Sequence, residues 1–268
     1  NQETAKLQPK FLDYKTDLEF FNIGPLEVIY KENSDNDLFE LTYHFNYGKN
    51  QDPKIALAAS LMNYVGAGNL SPEDLKTEFY KLGAGYNFST STDGEETQIT
   101  LSGLSENMEA SIKLFESLLE NPVGTQDALD KLVGRILKSR SDAKKNKNLI
   151  LSRQLYSYAK YGEVNPASNV LTSEELMEVS VAELTDRIKE LTKKQHRILF
   201  YGNQDQKTLT NLVKTYHKIP ESLKEVSDVE TYSEKNYDKE YVFWTHFDMV
   251  QTEIILLSKQ ELLDNAKT

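Results

Sequence analysis

The stretch that decides the fold is SPEDLKTEFYKLGAGYNFSTSTDGEETQITLSGL, residues Ser71–Leu104. It opens with a capping serine, a first-turn proline and two early carboxylates, which together predict a helix that begins at Pro72 and stops at Gly83. YNFSTST and ETQITLSGL then flank Asp93-Gly94, a dipeptide typical of tight hairpin turns. The stretch therefore predicts a capped helix followed by a β-hairpin, which places the chain among α+β proteins.

Upstream of this stretch, LFELTYHFNY (Leu38–Tyr47) predicts a half-buried strand, because apolar and polar residues alternate along it. Its apolar face consists of Phe39, Leu41, Tyr43, Phe45 and Tyr47. We expect Leu26–Tyr30 to be its partner strand, joined to it through the polar loop Glu32–Asp37. Asp52-Pro53 provides a cap and a first-turn proline, so a helix is predicted from there through Val65.

Downstream, Ser105 is predicted to cap a third helix that ends at Asn121-Pro122, with an apolar stripe along one side. Ile112, Phe115, Leu118 and Leu119 form that stripe. Further helices are predicted around Leu129–Leu137, over Leu149–Tyr161 and from Ser180 onward. Arg197–Tyr201 is predicted to be a buried strand that ends at Gly202.

The character of the chain changes after residue 220. Glu221–Glu240 holds seven acids against three lysines with few large apolar residues, which is typical of a linker. We therefore expect a domain over 1–220, an acidic linker over 221–240 and the truncated start of a second, similar domain over 241–268. The last region holds two predicted strands, Tyr241–Phe247 and Thr252–Ser258, which open that second domain or pair with the first domain's sheet.

Composition excludes several classes of function. The net charge is −11, from 42 acids against 31 bases, so the surface repels phosphate backbones and anionic lipid, and we expect no nucleic-acid partner. Basic or neutral peptides remain possible partners. The chain has no cysteine, which excludes thiolate zinc sites and a cysteine nucleophile. Its apolar runs are far too short for a membrane span, and because it begins at Asn1 we expect a cut or processed piece.

Three segments together carry a family resemblance: Ser71–Leu104, Glu106–Pro122 (ENMEASIKLFESLLENP) and His196–Asn203 (HRILFYGN). With the order of predicted elements, they resemble one domain of the pitrilysin/insulinase-type zinc metallopeptidases, the group that includes mitochondrial processing peptidase. The resemblance runs from about Leu26 to Tyr216. It implies a metallopeptidase-like (LuxS/processing-peptidase-like) α+β domain, with a mixed, mainly antiparallel sheet and helices packed on one face.

Catalytic members of that family carry His-x-x-Glu-His on the helix before the capped one. Two imidazoles on one helix face hold zinc, and the glutamate activates a zinc-bound water. Aligned on the residues that follow, Ala59 and Asn63 replace the histidines and Met62 replaces the base. The family's third ligand, a glutamate, would fall near Ser139–Arg140, where the sequence has no acid. We therefore expect no catalytic residue and no metal in this chain.

The resemblance also implies a role for a copy of the domain that lacks zinc. Family members are built from repeated copies, of which only the first binds zinc while later copies form the opposing wall of an enclosed chamber. This chain is accordingly expected to be a non-catalytic second-half domain that pairs with a zinc-bearing half, of the same or a partner chain, and helps to bind unfolded peptide. An exported or periplasmic location in a bacterium fits such a role. The alternative is a scaffold or assembly subunit that reuses the fold without proteolysis.

The predicted hairpin strand and the four histidines are the remaining candidates for binding residues. In catalytic copies, the strand equivalent to Gly85–Thr92 is a sheet edge onto which the peptide docks, so Asn87, Ser89 and Thr90 are candidate peptide contacts. The alternative is that they are ordinary polar residues of an edge strand. The four histidines are His44, His196, His217 and His246. They share no metal-ligand spacing, and we expect surface or structural roles for them.

Overall fold

The computed structural model of the chain describes residues 11, 13–229, 232–248 and 250–259. Its contacts divide the chain into two units. The first comprises Asn1–Val133 and Leu171–Glu230, and the second comprises Gly134–Val170 and Thr231–Thr268. The first unit contains the sheet and the positions of the predicted functional residues. Among the described residues, no helix is both long and apolar enough to cross a membrane.

The first unit is built on a six-stranded sheet with the order β1-β2-β8-β3-β6-β5. These strands are β1 (Glu19–Ile23), β2 (Leu26–Glu32), β3 (Leu38–Phe45), β5 (Ala84–Thr90), β6 (Thr97–Leu104) and β8 (Arg197–Gly202). All neighbours are antiparallel except β2 and β8, which run parallel. A separate short pair joins β4 (Gly66–Ala67) to β7 (Pro122–Val123). The predicted mixed, mainly antiparallel sheet is confirmed.

Every helix predicted from the sequence has a counterpart in the structure, and two further helices, Ser173–Glu178 and Gln206–Tyr216, were not predicted. The helices are α1 (Pro53–Met62), α2 (Pro72–Lys81), α3 (Met108–Glu120), α4 (Gln126–Ala143), α5 (Lys147–Leu149), α6 (Tyr156–Tyr161), α7 (Ser173–Glu178), α8 (Val181–Leu191) and α9 (Gln206–Tyr216). Helix α2 begins as expected, because the Asp74 backbone N–H donates to Ser71 Oγ at 3.1 Å. It ends before Gly83, whose φ of +59° requires a residue that tolerates the left-handed region.

One face of the sheet forms the core of the first unit. Leu41, Tyr43 and Phe45 of β3 are fully buried on that face, and the apolar stripe of α3, including Phe115, packs against it. The alternate residues of the same strands face the other way, and Glu40 of β3 and Asn87 of β5 are exposed there. Helices therefore cover one face and polar side chains the other, as the sequence predicts.

The predicted pairing of Leu26–Tyr30 with Leu38–Tyr47 is wrong. Strand β8 lies between β2 and β3, with Tyr30 beside Phe200 and Leu41 opposite the same residue. Adjacent strands in sequence often pair, but here a strand from far along the chain adds its apolar side chains to the centre of the sheet. The loop after β2 is held in place by the Asn33 backbone N–H, which donates to Gly202 O at 2.8 Å.

Ser105 does not cap the third helix, contrary to the prediction. It lies in a single 3₁₀ turn, Ser105–Asn107, that leads into α3, and no side-chain cap bond is present at the start of either. The predicted helix over Leu149–Tyr161 is present as α5 and α6 joined by a π-helical segment, Ile150–Leu155. A π-helical segment adds one residue to the turn, which a periodicity argument does not detect.

The second unit contains the end of α4, α5, α6 and the segments 232–248 and 250–259. The prediction of strands over Tyr241–Phe247 and Thr252–Ser258 is wrong for the residues described, since neither segment is paired as a strand. A segment with alternating apolar residues forms a strand only when a neighbouring strand accepts and donates its backbone hydrogen bonds. Instead Val242, Trp244 and Leu256 are largely exposed. The domain and linker boundaries expected from the sequence remain predictions.

Candidate functional site

Helix α1 and the residue that follows it carry Ala59, Met62 and Asn63, which the sequence analysis aligns with the zinc motif of catalytic family members. The helix is fixed at its start by Asp52, whose Oδ1 accepts from the Lys54 backbone N–H at 3.0 Å. Ala59 and Met62 are 1% and 0% exposed, so both face the core. A methyl group and a buried thioether supply neither a zinc ligand of the usual kind nor a general base. These two positions contribute packing instead.

Asn63, the third position, has a specific contact of its own. It is the residue that ends α1, and its Nδ2 donates to Ala59 O at 3.2 Å and to Phe88 O at 3.0 Å. The Phe88 backbone N–H in turn donates to Asn63 Oδ1 at 3.2 Å. One side-chain amide therefore satisfies both backbone groups of Phe88, as a neighbouring strand would. We call this pair of bonds the Asn63 clasp.

The clasp identifies which backbone groups of β5 point away from β6, toward the outer edge of the sheet. Strand β5 is at the edge and pairs with β6 alone, with Phe88 opposite Ile99. In an antiparallel pair, residues alternate between facing the partner and facing away. Because the backbone groups of Phe88 face Asn63, those of Tyr86 and Thr90 face the same outer edge.

The structure separates the three candidate peptide-contacting residues. Asn87 is exposed and Ser89 is half-buried, and by alternation both lie on the polar face of the sheet. Thr90 is on the opposite face, the same one as Phe88. Asn87 and Ser89 are therefore brought together, while Thr90 shares with them only its place on the edge strand.

A buried polar cluster was missed by the sequence reasoning. It consists of Tyr43 on β3, Glu116 on α3, His196 just before β8 and His217 just after α9, all less than a tenth exposed. Tyr43 Oη donates to Glu116 Oε1 at 2.6 Å, and His217 Nδ1 lies 3.1 Å from both Glu116 carboxylate oxygens. His217 Nε2 and His196 Nε2 are 3.3 Å apart. We call these four residues the Tyr-Glu-His-His cluster.

The hydrogen bonds of the cluster assign the protons on His196. Its Nδ1–H donates to Lys194 O at 2.7 Å, so in the neutral ring Nε2 accepts from His217 Nε2–H. Burial lowers the pKa of His196 to about 4, with a smaller lowering by the neighbouring His217 and an opposing, raising effect of the bond to Lys194 O, and the ring is therefore neutral near pH 7. Burial also holds the pKa of Tyr43 well above its usual value, helped by the Glu116 carboxylate.

One signal in the sequence could have led to this cluster. Glu116 directly follows Phe115 on the helix whose apolar residues form the core stripe, and a carboxylate beside such a stripe needs a buried partner. The two remaining histidines are in different surroundings. His44 lies 3.0 Å from Glu96, and His246 is exposed. Within the part of the chain that the structure describes, no group of three or more His, Asp or Glu side chains is arranged to hold a metal ion.

Comparison with known proteins supports the fold assignment. No protein-family model and no curated protein matches the sequence. Solved structures do match. A peptidase M16 inactive domain from Pseudomonas fluorescens is 17% identical with a TM-score of 0.69, over 81% of this chain and 54% of that one. The periplasmic protease PqqL from Escherichia coli is 16% identical with a TM-score of 0.63, over 88% of this chain and 28% of that one.

A third match is the ferredoxin protease FusC, in complex with Arabidopsis ferredoxin. It is 14% identical with a TM-score of 0.63, over 88% of this chain and 28% of that one. The chain thus spans about half of the first match and less than a third of the other two. At these identities the likeness concerns the fold alone, and it confirms the fold expected from the sequence. The chain has the fold of M16-type peptidase domains, one of which is described as an inactive domain.

Proposed function

We propose that this chain is a non-catalytic domain of an insulinase-type zinc metalloendopeptidase. In this role it pairs with a zinc-bearing half, forms the opposing wall of the chamber and helps to hold an unfolded peptide. The chain contributes no metal ligand of its own, and the zinc belongs to the partner half. Proteolysis then depends on the partner half and not on any residue described in this chain.

One observation carries the proposal. In a domain with an M16-type fold, the three residues that align with the zinc motif pack in the core or bind backbone, and none of them is a usual zinc ligand. Ala59 and Met62 fill the core, and Asn63 binds the backbone of Phe88. A register shift does not restore the motif, because the sequence has no histidine between His44 and His196.

The direct test is the zinc content and peptidase activity of the purified chain. After dialysis against zinc-containing buffer, we expect the chain to hold less than one zinc ion per molecule. We also expect no chelator-sensitive cleavage of an unstructured peptide. Stoichiometric zinc, or chelator-sensitive cleavage, contradicts the proposal. The matched control is a catalytic M16-type half carrying His-x-x-Glu-His, assayed in parallel.

Where the peptide binds is the second part of the proposal. The edge of β5 carries outward-facing backbone groups at Tyr86 and Thr90, to which an extended peptide adds as a further strand. The groups of Phe88, which lies between them, are bonded to Asn63 in this structure. Asn87 and Ser89 then contact the peptide from the polar face of the sheet, and Thr90 contacts it near the end of the strand. The exposure of Asn87 and the position of β5 at the edge support this placement.

The peptide site is tested by fluorescence anisotropy with a labelled, unstructured peptide. Replacing both candidate side chains, Asn87→Ala with Ser89→Ala, is expected to weaken binding by roughly three- to tenfold, since one or two modest hydrogen bonds are lost. Asn46→Ala, an exposed asparagine just after β3, is the matched control and should bind as the unaltered chain does. Equal affinities for all three proteins would contradict the proposed peptide site.

The scaffold alternative is separated from the peptidase role by the parent gene. A reading frame that encodes His-x-x-Glu-His upstream of Asn1, or in a neighbouring partner gene, supports the peptidase role. A parent assembly without that motif supports a scaffold.

A further inference from the structure

Two buried imidazole rings cover an aromatic surface in the core of the first unit. The His217 ring stacks on Tyr43 with centroids 4.3 Å apart, and the His196 ring stacks on Phe45 with centroids 4.7 Å apart. Tyr43 and Phe45 are fully buried and lie two residues apart on β3. Both rings come from irregular segments, one just before β8 and one just after α9. We call His196 and His217 the histidine lid.

The segment that carries His217 is attached to the first unit at a second place. The Gln195 backbone N–H donates to Lys224 O at 2.8 Å, and the Lys224 backbone N–H donates to Lys193 O at 2.9 Å. An ion pair between Lys224 Nζ and Glu190 at 2.6 Å adds to this backbone bridge. Residues 217–224 are therefore held at their start by buried ring contacts and at their end by a bridge near the surface.

The two attachments respond differently to acid. Burial gives His196 a pKa of about 4, whereas hydrogen bonds from Lys193 and Lys224 hold the pKa of Glu190 at about 2. A hydrated histidine has a pKa near 6.5, so below that pH a state that exposes His196 gains a proton that the closed state does not bind. Between pH 6.5 and pH 4 the inner attachment is therefore weakened, while the Glu190 carboxylate stays charged and paired.

The surroundings of His196 do not compensate a charge on its ring. The titratable groups that face it are His217, from the segment after α9, and Tyr43 from β3. The carboxylate of Glu116 on α3 lies behind His217, to which it is bonded. The other titratable groups of these segments are engaged elsewhere, in the contacts Lys194–Tyr47, Arg197–Glu27, Tyr216–Glu109 and Lys218–Glu120.

We propose that the histidine lid opens at acid pH and uncovers Tyr43 and Phe45. A proton added to His196 Nε2 faces the Nε2–H of His217, so the hydrogen bond between the rings is lost, and the charged ring is hydrated once it leaves the core. Residues 217–223 then move away from β3 while Lys224 stays attached. The inference does not depend on the proposed peptidase role, because it rests only on the ring contacts and the backbone bridge.

Hydrogen exchange of the His217 amide, followed by NMR on the full chain, tests the proposal. This amide donates to Val213 O at 2.9 Å in the closed structure. After correction for the intrinsic exchange rate at each pH, its protection is expected to fall about a hundredfold between pH 7.5 and pH 4. It should also stay below the protection that global unfolding allows, as measured with denaturant at the same pH, because opening of the lid exposes only part of the molecule.

Two histidine variants show which ring carries the effect. His196→Gln keeps a polar side chain and does not titrate, so the acid-dependent loss of His217 protection should disappear. His44→Gln is the matched control, because His44 is also mostly buried but lies outside the lid, beside Glu96. It should show the same acid-dependent loss as the unaltered chain.

A second measurement needs no variant and therefore does not depend on whether His196→Gln folds. The probe is 8-anilinonaphthalene-1-sulfonate, whose fluorescence rises when it binds exposed apolar surface. In the unaltered chain the fluorescence is expected to rise as the pH falls from 6.5 to 4, since Tyr43 and Phe45 are uncovered. The far-UV circular dichroism should stay constant over the same range, because the helices and strands remain.

Three results overturn the proposal. One is a His217 amide whose exchange equals that expected from global unfolding at every pH, because the lid then does not open by itself. Another is the same acid profile in His196→Gln as in the unaltered chain. The third is a constant fluorescence of the probe between pH 7.5 and pH 4.

Discussion

Asn63, which the sequence analysis aligns with a metal-ligand position of catalytic family members, uses its side-chain carboxamide to bind backbone. A carboxamide has one donor and one acceptor side, which match the C=O and N–H of a single strand residue. Phe88 O accepts from Asn63 Nδ2 at 3.0 Å, and the Phe88 backbone N–H donates to Asn63 Oδ1 at 3.2 Å. The residue thereby joins the end of α1 to the edge of β5 by hydrogen bonds that resemble a strand ladder.

Asn63→Ala is expected to free both backbone groups of Phe88. The Phe88 amide should then exchange with solvent faster, and the protein should lose about 1–2 kcal/mol of stability, because two modest hydrogen bonds disappear from a partly buried position. Hydrogen exchange followed by NMR and denaturant unfolding measure the two effects. Asn87→Ala on the same edge strand is the control and should leave Phe88 exchange unaltered. Unchanged protection of Phe88 in Asn63→Ala would rule out the clasp.

The clasp also bears on the proposed peptide site. A peptide added to β5 would pair with outward groups at Tyr86, Phe88 and Thr90, and the middle pair is already bonded to Asn63. The Asn63→Ala protein is therefore expected to bind an unstructured peptide more tightly than the unaltered chain if the β5 edge is the docking site.

At the scale of elements, the Tyr-Glu-His-His cluster connects four segments that are far apart in sequence. Tyr43 belongs to β3, Glu116 to α3, and the two histidines flank β8 and α9. Aromatic contacts reinforce the connection, since the Tyr43 and His217 rings stack with centroids 4.3 Å apart. A buried carboxylate is costly without partners, and here Tyr43 and His217 both contact it.

The cluster makes stability depend on pH. In the folded protein the pKa of His196 is about 4, below the value near 6.5 in an unfolded chain. Between these values the unfolded state binds a proton that the folded state does not. The contribution is therefore fully present above about pH 6.5 and is lost as the pH falls toward 4, with a limit of about 3 kcal/mol.

Denaturant unfolding measured from pH 7.5 to pH 4 tests this dependence. The unaltered chain is expected to lose stability steadily below pH 6.5. His196→Gln, which does not titrate, should have a flatter profile over the same range even if it is less stable at pH 7.5. His246→Gln, at an exposed histidine, should follow the unaltered chain. Parallel profiles for His196→Gln and the unaltered chain would show that His196 does not carry the effect.

Local elements were predictable because their signals are short-range. The start of α2 follows from Ser71 and Pro72, its end follows from Gly83, and the hairpin of β5 and β6 follows from Asp93-Gly94. The predictions failed where a distant segment decides the outcome. Strand β8 enters between β2 and β3, and the residues around Trp244 have no strand neighbour in the described structure.

At the scale of the whole molecule, the first unit contains Ala59, Met62 and Asn63, the β5 edge and the Tyr-Glu-His-His cluster. A net charge of −11 favours the approach of cationic or neutral molecules over that of phosphate or anionic lipid. The second unit exposes several large apolar side chains, including Val242 and Leu256.

The sequence by itself determined the fold class and the absence of a His-x-x-Glu-His motif from the given residues. Helix caps, the hairpin turn and strand alternation depend on residues a few positions apart, and an absent histidine is visible without coordinates. Only the tertiary structure decided the partners of Asn63 and of Glu116, since the Asn63 clasp joins residues 25 positions apart and the His217–Glu116 contact joins residues 101 apart. Hydrogen bonding between distant segments depends on three-dimensional register, which local sequence patterns do not encode.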